Sequence, residues 1–192
     1  MAPGGPSGEI APSAAVTAAP RILVAGIGNI FFGDDGFGVE VARRLARAEI
    51  PDGVTVADYG ISGMHLAYDL ANGFETAILV DATPRGGAPG TIYVLEPEQQ
   101  PDEAAGNDGQ VHGNDGGPAP VMFDAHGMQP DVVLGMLAML GGRAGRILIV
   151  GCEPASAEPG MGLSAPVATA VDEAVRVVLG LVGNDSGLRP RT

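Results

Sequence analysis

The segment Arg21-Ile22-Leu23-Val24-Ala25-Gly26 restricts the fold more than any other part of the chain. Its apolar residues follow one another without interruption, whereas a half-buried strand alternates apolar and polar residues. An uninterrupted run of this length is typical of a β-strand that is buried on both faces, as in sheets covered by helices on both sides. We therefore predict that the first strand lies here, within an α/β fold.

A helix is predicted after this strand. Between Gly36 and Glu49, apolar residues recur at helical spacing and charged residues take the opposite face. Strand-like and helix-like segments then continue to alternate, which predicts parallel strands joined by helices. The further predicted elements are strands Val54–Asp58, Thr76–Val80, Thr91–Leu95 and Arg146–Gly151, a short helix capped by Ser62 and ended by Gly73, and helices Asp131–Leu140 and Ala165–Val182.

One connection in this series is too short for a helix. Only residues 82–90 separate the third and fourth predicted strands, whereas a parallel crossover needs a dozen residues or more. The fourth strand is therefore expected to be antiparallel and at the edge of the sheet. The predicted fold class is α/β: a three-layer sandwich with a mostly parallel, twisted sheet of about five strands, one antiparallel edge strand and helices on both faces.

The 192 residues suit one domain with additions. Residues 1–20 are predicted to be a disordered N-terminal tail, because they are a low-complexity mixture of Ala, Pro, Gly and Ser, and residues 184–192 are predicted to be a C-terminal tail. Residues 97–120 contain Gly-Asn-Asp-Gly twice and have little to bury, which predicts a flexible insertion. The folded domain is expected to cover residues 21–183.

The charge balance excludes several classes of function. The formal net charge is -13 and all ten basic residues are Arg, so nucleic acids and anionic membranes are not expected partners. Without Lys there is no Walker A loop and no Schiff-base amine.

The single cysteine, Cys152, allows no intrachain disulfide and no Cys-x-x-Cys site, and a small buried side chain is expected there. Neither an export signal nor a membrane span is recognised, and we expect a cytoplasmic monomer.

The loop after the first strand contains Gly26-Ile27-Gly28, which is also how a dinucleotide-binding turn begins. The third glycine of that fingerprint would fall at position 31, where this chain has Phe31. Asp34 and Asp35 precede the following helix, and their carboxylates would repel a phosphate. The loop is better suited to a cation than to a nucleotide.

Acidic side chains and one imidazole are predicted at the carboxyl ends of several strands, where open α/β sheets bind their ligands. Asp34 and Asp35 follow the first strand, Asp58 ends the second, Asp81 ends the third, and Asp124-Ala125-His126 precedes the helix at Asp131. Two carboxylates and one imidazole would suit a divalent transition metal. Each has an ordinary interpretation as well: a helix-start acid for Asp35, a turn cap for Asp81 and a surface imidazole for His126.

Residues 21–39 resemble the N-terminal signature of the [NiFe]-hydrogenase maturation endopeptidases. The resemblance continues through segments 58–64, 79–82, 124–127 and 151–154, and so spans the predicted core. It implies an enzyme, a hydrolase that removes the C-terminal extension of the nickel-loaded precursor of a hydrogenase large subunit. It also implies that Asp35, Asp81 and His126 are catalytic and bind Ni²⁺ presented by that substrate. Many members of the family carry Glu at the position of Asp35.

Two questions stay open at this point. The metal could polarise the scissile carbonyl or activate a water molecule, or it could serve only as a recognition signal. The alternative to an enzyme is a non-catalytic metal- or nucleotide-binding module on a Rossmann-like sheet, acting as a sensor or as a maturation chaperone.

Overall fold

The computed structural model describes residues 21–97, 130–141 and 145–185. Within these ranges five strands and four helices alternate along the chain, together with a short 3₁₀ turn. The strands are β1 (Ile22–Ile27), β2 (Val54–Gly60), β3 (Thr76–Ala82), β4 (Ile92–Leu95) and β5 (Arg146–Cys152), the helices are α1 (Phe37–Leu45), α2 (Gly63–Ala71), α3 (Pro130–Met139) and α4 (Ala165–Asp185), and the 3₁₀ turn is Gly33–Gly36.

The five strands form one sheet in the order β2-β1-β3-β5-β4. All neighbouring pairs are parallel except β4 and β5, which are antiparallel, with Ile92 opposite Cys152. The predicted fold class is therefore confirmed, including the antiparallel edge strand. The reversed direction of β4 fits the short connection that follows β3, which leaves no room for a crossover helix, but β4 pairs with β5, which lies between β3 and β4.

Side chains on the two faces of the sheet enter two separate hydrophobic clusters. In β1, Ile22 and Val24 pack into the cluster that contains α1 and α4, whereas Leu23 and Ala25 pack into the cluster that contains α2 and α3. All six residues of β1 are buried. The uninterrupted apolar run is thus explained, because each of its side chains faces one helical layer or the other.

Several element boundaries differ from those predicted. Helix α1 ends at Leu45 instead of Glu49, because the amides of Arg47 and Ala48 turn to carbonyls three residues back, just before Pro51. Strand β3 continues to Ala82, so Asp81 lies inside the strand and pairs with Gly151. Strand β2 likewise runs on to Gly60 and α4 to Asp185. Ser62 occupies the start of α2, but its side chain makes no capping hydrogen bond.

Residues 1–20, 98–120 and 186–192 of the predicted tails and insertion lie outside the described residues, whereas the first two residues of the predicted C-terminal tail, 184 and 185, belong to α4. The boundaries of the folded domain therefore stay a prediction. Within the described ranges, no helix has the length and apolar character needed to cross a membrane.

The carboxyl ends of β1 and β3 form the crevice of this sheet. From β1 the chain passes through α1 to β2 on one side, while β3 lies on the other side of β1 and leads towards β4 and β5. Adjacent strands whose connections leave in opposite directions create an opening at their carboxyl ends, and ligands of open α/β sheets bind there. The residues that follow β1 and those at the end of β3 therefore face a common opening.

Glycine allows the start of α1 to lie directly on these two strands. A Cβ atom at Gly38 would be 2.0 Å from the carbonyl oxygen of Val80 and 2.3 Å from that of Ile27. No side chain fits between the helix and the strands at this position. The first turn of α1, and the residues just before it, are consequently held close to the ends of β1 and β3.

Candidate active site

Asp35 lies in the 3₁₀ turn between β1 and α1 and is partly buried. Its Oδ2 accepts a hydrogen bond of 2.7 Å from the backbone N–H of Asn29. The loop folds back onto the turn at Gly28, which has a φ of 128°. A Cβ atom at Gly28 would be 1.8 Å from the carbonyl oxygen of Asp35, so only glycine permits this loop. The backbone thus fixes the carboxylate of Asp35 from one side.

Asp81 lies near the end of β3 and is 8% exposed. Its Oδ1 accepts a hydrogen bond of 2.8 Å from the N–H of Ala82. Burial, and secondly the negative charge of Asp35, raise the pKa of Asp81 to about 7, and the Ala82 bond only partly offsets this. Strands β1 and β3 are paired, with Gly26 opposite Val80, so the turn that follows β1 and the end of β3 place Asp35 and Asp81 at the same opening of the sheet.

The third predicted ligand, His126, lies outside the described residues, as does Asp124. Among the residues that the structure does describe, no group of three or more His, Cys, Asp or Glu side chains is arranged to hold a metal ion. Asp58, which ends the neighbouring predicted strand, instead accepts a hydrogen bond from the N–H of Gly60 and lies 3.8 Å from Nε of Arg43.

The chemistry of the Asp35–Asp81 pair fits a cation. Two carboxylates in one opening repel each other, and the raised pKa of Asp81 shows that a negative charge there is costly without a partner. A divalent ion between them would remove that cost, and carboxylate oxygens together with an imidazole suit a transition metal. Two of the three residues predicted as ligands therefore lie in the described part of the site.

Asp34, the neighbour of Asp35, has a different role. It is 1% exposed and points into the loop between β5 and α4. Its Oδ2 accepts hydrogen bonds from the N–H groups of Ala155 (2.8 Å) and Ser156 (3.2 Å) and from the hydroxyl of Ser164 (2.9 Å), and its Oδ1 accepts one from the N–H of Ser164 (2.6 Å). Burial alone would raise the pKa of Asp34, but these bonds outweigh it and lower the pKa. Asp34 is thus a buried, ionised acceptor.

A second buried carboxylate, Glu153, lies at the start of the same loop and is 5% exposed. It accepts hydrogen bonds from the N–H groups of Arg85 (2.8 Å) and Gly86 (3.0 Å) and from the hydroxyl of Tyr93 (2.8 Å). Burial again favours the neutral acid, but the hydrogen bonds prevail and lower the pKa of Glu153. The sequence alone assigns no role to Glu153, because each of its hydrogen-bond partners lies at least 60 residues away along the chain.

Cys152 is a buried residue and not a nucleophile. The thiol is fully buried in the cluster beneath α4, as the sequence predicts. Burial, followed by the charges of Asp34 and Glu153, raises the pKa of Cys152 to about 11. A thiol of this kind is inert at neutral pH.

The surface around the opening is apolar in part. Phe31, Ile61, Met64 and Met161 are each more than half exposed and lie in loops or at a helix start at this end of the sheet. A pocket of about 380 Å³ opens between α1, α4 and the residues before α4; Gly36 is among its lining residues, but Asp35 and Asp81 are not. Exposed apolar side chains beside a cleft are typical of a surface that binds another protein or a peptide.

The family model described as hydrogenase maturation protease matches residues 39–115 and 118–181 of this chain. The HupD hydrogenase expression/formation protein of Rhizobium leguminosarum bv. viciae is 34% identical over 166 residues, covering 83% of this chain and 75% of that protein. The hydrogenase 2 maturation protease of Escherichia coli strain K12 is 31% identical over 164 residues, covering 83% and 88% respectively. The solved structure of the hydrogenase maturating endopeptidase HybD from E. coli superposes with a TM-score of 0.64 at 29% identity, covering 87% of this chain and 94% of that one.

Proposed function

This chain belongs to the hydrogenase maturation protease family and is an endopeptidase, and we propose that it removes the C-terminal extension from the nickel-loaded precursor of a [NiFe]-hydrogenase large subunit. Asp35, Asp81 and His126 engage the Ni²⁺ ion that this substrate presents. The observation that supports this proposal most strongly is the meeting of Asp35 and Asp81 at the switch point of the sheet.

The two carboxylates are fixed in position before any substrate arrives. Asp35 is held by the N–H of Asn29, and Asp81 by the N–H of Ala82 and by its place inside β3. A prearranged pair loses little conformational freedom on binding, so more of the interaction energy is available for recognising the ion. The protein residues thus provide orientation and negative charge at one end of the sheet.

The nickel ion is cargo of the substrate in this proposal. It would supply positive charge that either polarises the scissile carbonyl or marks the precursor as ready to be cut. In both cases Asp35 and Asp81 bind and orient, and the exposed apolar residues around them contact the surrounding polypeptide.

The experiment is an incubation of the purified protein with a precursor large subunit, in nickel-loaded and in metal-free form. We expect the nickel-loaded precursor to lose the mass of its C-terminal extension by mass spectrometry and the metal-free precursor to stay intact. Cleavage of both forms at the same rate would contradict nickel as the signal. Binding without cleavage of either form would instead support the non-catalytic module.

Variants test the residue assignments. Asp81→Asn and His126→Ala are expected to abolish cleavage while the circular dichroism spectrum stays that of the wild type. Asp52→Asn is a matched control for the first, because it makes the same chemical change at an exposed turn before β2. Wild-type cleavage by Asp81→Asn or by His126→Ala would remove that residue from the site. A cytoplasmic location and a monomeric state stay predictions, the latter testable by size-exclusion chromatography with light scattering.

A further inference from the structure

The loop between β5 and α4, residues 153–164, contacts the segments that contain both Asp35 and Asp81; we call it the brace loop. At its start, Glu153 accepts hydrogen bonds from Arg85 and Gly86, in the connection that follows Asp81. In its middle and at its end, the loop donates four hydrogen bonds to Asp34, the residue before Asp35. Neither of these buried carboxylates belongs to the proposed set of nickel ligands.

The structure links the two proposed nickel ligands through this loop. Asp81 pairs with Gly151 of β5, so the brace loop leaves the sheet from the strand adjacent to Asp81. The loop then crosses to the 3₁₀ turn, where Gly33 donates to the carbonyl of Gly160 (2.8 Å) and Asp34 donates to that of Ser156 (3.2 Å). Asp35 follows directly in this four-residue turn.

We propose that the brace loop fixes the separation of Asp35 and Asp81, with Asp34 and Glu153 as its two positioning residues. This inference depends on the proposed function for the roles of Asp35 and Asp81, but not for the geometry. Neither Asp34 nor Glu153 is placed to touch the substrate, because both are buried and their oxygens are occupied by hydrogen-bond donors of the protein.

The hydrogen-bond donors that face Asp34 and Glu153 explain why these two positions need carboxylates. Both side-chain oxygens of Asp34 accept hydrogen bonds, and every group facing them is a donor. An asparagine amide would replace one of these acceptors by an NH₂ group, which would face the N–H of Ser164 or another donor. Glu153 likewise faces backbone N–H groups and the Tyr93 hydroxyl. Asp34→Asn and Glu153→Gln therefore keep the size of the side chain while breaking one anchor of the brace loop each.

Activity on the nickel-loaded precursor is the first measurement. A displacement of about 1 Å at a reacting group can lower a rate by roughly a hundredfold, so we expect each single variant to lower kcat by about tenfold to a hundredfold. We expect KM to change much less, because the exposed apolar docking residues are unaltered. The double variant should lose no more than the more severe single variant, because a brace released at one end no longer constrains the other.

A second measurement needs no substrate. The N–H of Asn29 bonds to Asp35 and the N–H of Ala82 bonds to Asp81, so these two amides report on the positions of the carboxylates. We expect Asp34→Asn to shift the ¹⁵N–¹H resonance of Asn29 and to speed its hydrogen exchange. Glu153→Gln should do the same at Ala82.

The control is a variant of equal instability elsewhere. Val178→Ala removes buried methyl groups in α4, in the cluster beneath the sheet, and leaves the brace loop and its anchors unaltered. It should keep the kcat of the wild type and the resonances of Asn29 and Ala82 at temperatures where the protein is folded. Should Asp34→Asn fail to fold, Ser164→Ala removes only the hydroxyl bond to Asp34 and is expected to give a smaller loss of kcat in the same direction.

Three results would overturn the proposal: wild-type kcat in both single variants, a double variant whose loss is the product of the two single losses, or an equal loss of kcat in Val178→Ala. Failure of the proposed function is distinguishable from these, because the wild-type protein would then leave the nickel-loaded precursor uncut. In that event the amide measurements alone decide whether the brace loop positions Asp35 and Asp81, and unchanged amides in both variants would refute it.

Discussion

The contact between Gly38 and the two central strands yields a sharp prediction. A Cβ atom at this position would lie 2.0 Å from the carbonyl oxygen of Val80 and 2.3 Å from that of Ile27. Carbon and oxygen atoms in close contact are normally separated by about 3.3 Å or more, so Gly38→Ala must push the start of α1 off the sheet by roughly 1 Å. Both opposing atoms belong to the backbone of buried strands, which have little room to yield.

The expected magnitude combines two opposing effects. Overpacking of a core costs about 1–3 kcal/mol, and overlap with two backbone atoms places this site at the upper end. Alanine favours a helix over glycine by up to about 1 kcal/mol, which offsets part of the cost. We therefore expect Gly38→Ala to lower the free energy of unfolding by about 2 kcal/mol, and the melting temperature by about 4–8 °C.

Gly180→Ala is the matched control, because it makes the same change in an exposed turn of α4 where a Cβ atom would meet nothing within 4 Å. Here only the helix preference acts, and we expect a gain of about 0.5–1 kcal/mol. Both values are measured by urea unfolding followed by circular dichroism. If Gly38→Ala is as stable as the wild type or more stable, the close packing of α1 on β1 and β3 is wrong.

Three further predictions follow from the buried groups. Cys152 should resist alkylation by iodoacetamide at pH 7.5 in the folded protein and react fully in urea, because burial raises the pKa of its thiol to about 11. Rapid labelling of the native protein would contradict its burial. Hydrogen bonds lower the pKa of Glu153 in the folded protein, so its carboxylate stabilises the fold fully above the ordinary pKa of glutamate, and this stabilisation is lost as the pH falls through the lower, folded pKa. The difference in unfolding free energy between the wild type and Glu153→Gln should therefore shrink in acid. A constant difference between pH 7 and pH 3 would refute this. Asp35→Glu keeps the charge and should retain measurable cleavage of the nickel-loaded precursor, whereas Asp35→Asn should show none in the same mass-spectrometric assay, and equal activities would argue against a role for the charge.

The sheet could be predicted from the sequence because its central strands have a local signature. Each residue of β1 contacts a helical layer, so the requirement for apolar side chains applies to every position of the run. The antiparallel edge strand followed from the length of one connection, which is also a local property. The end of α1 and the true extent of β3 were missed, because both depend on hydrogen bonds whose presence no local pattern indicates.

The candidate site, like the fold, could be predicted from the sequence only in part. Asp35 and Asp81 could be proposed because each stands next to a strand and within a recognisable motif, and their nearness follows from the strand order. Asp34 stands in the same motif and could be expected to be a cap or an acceptor, but its partners could not be predicted, because Ala155, Ser156 and Ser164 lie more than 120 residues further along the chain. His126 stays a prediction, since it lies outside the described residues.

The distance along the chain between Asp34 and Ser164, 130 residues, also has a consequence for biosynthesis. During translation the segments with Asp35 and Asp81 both leave the ribosome before Ser164 does. Until then the turn at Asp34 lacks its four hydrogen-bond donors. We therefore expect the turn before Asp35 to reach its final position only after residue 164 has been synthesised.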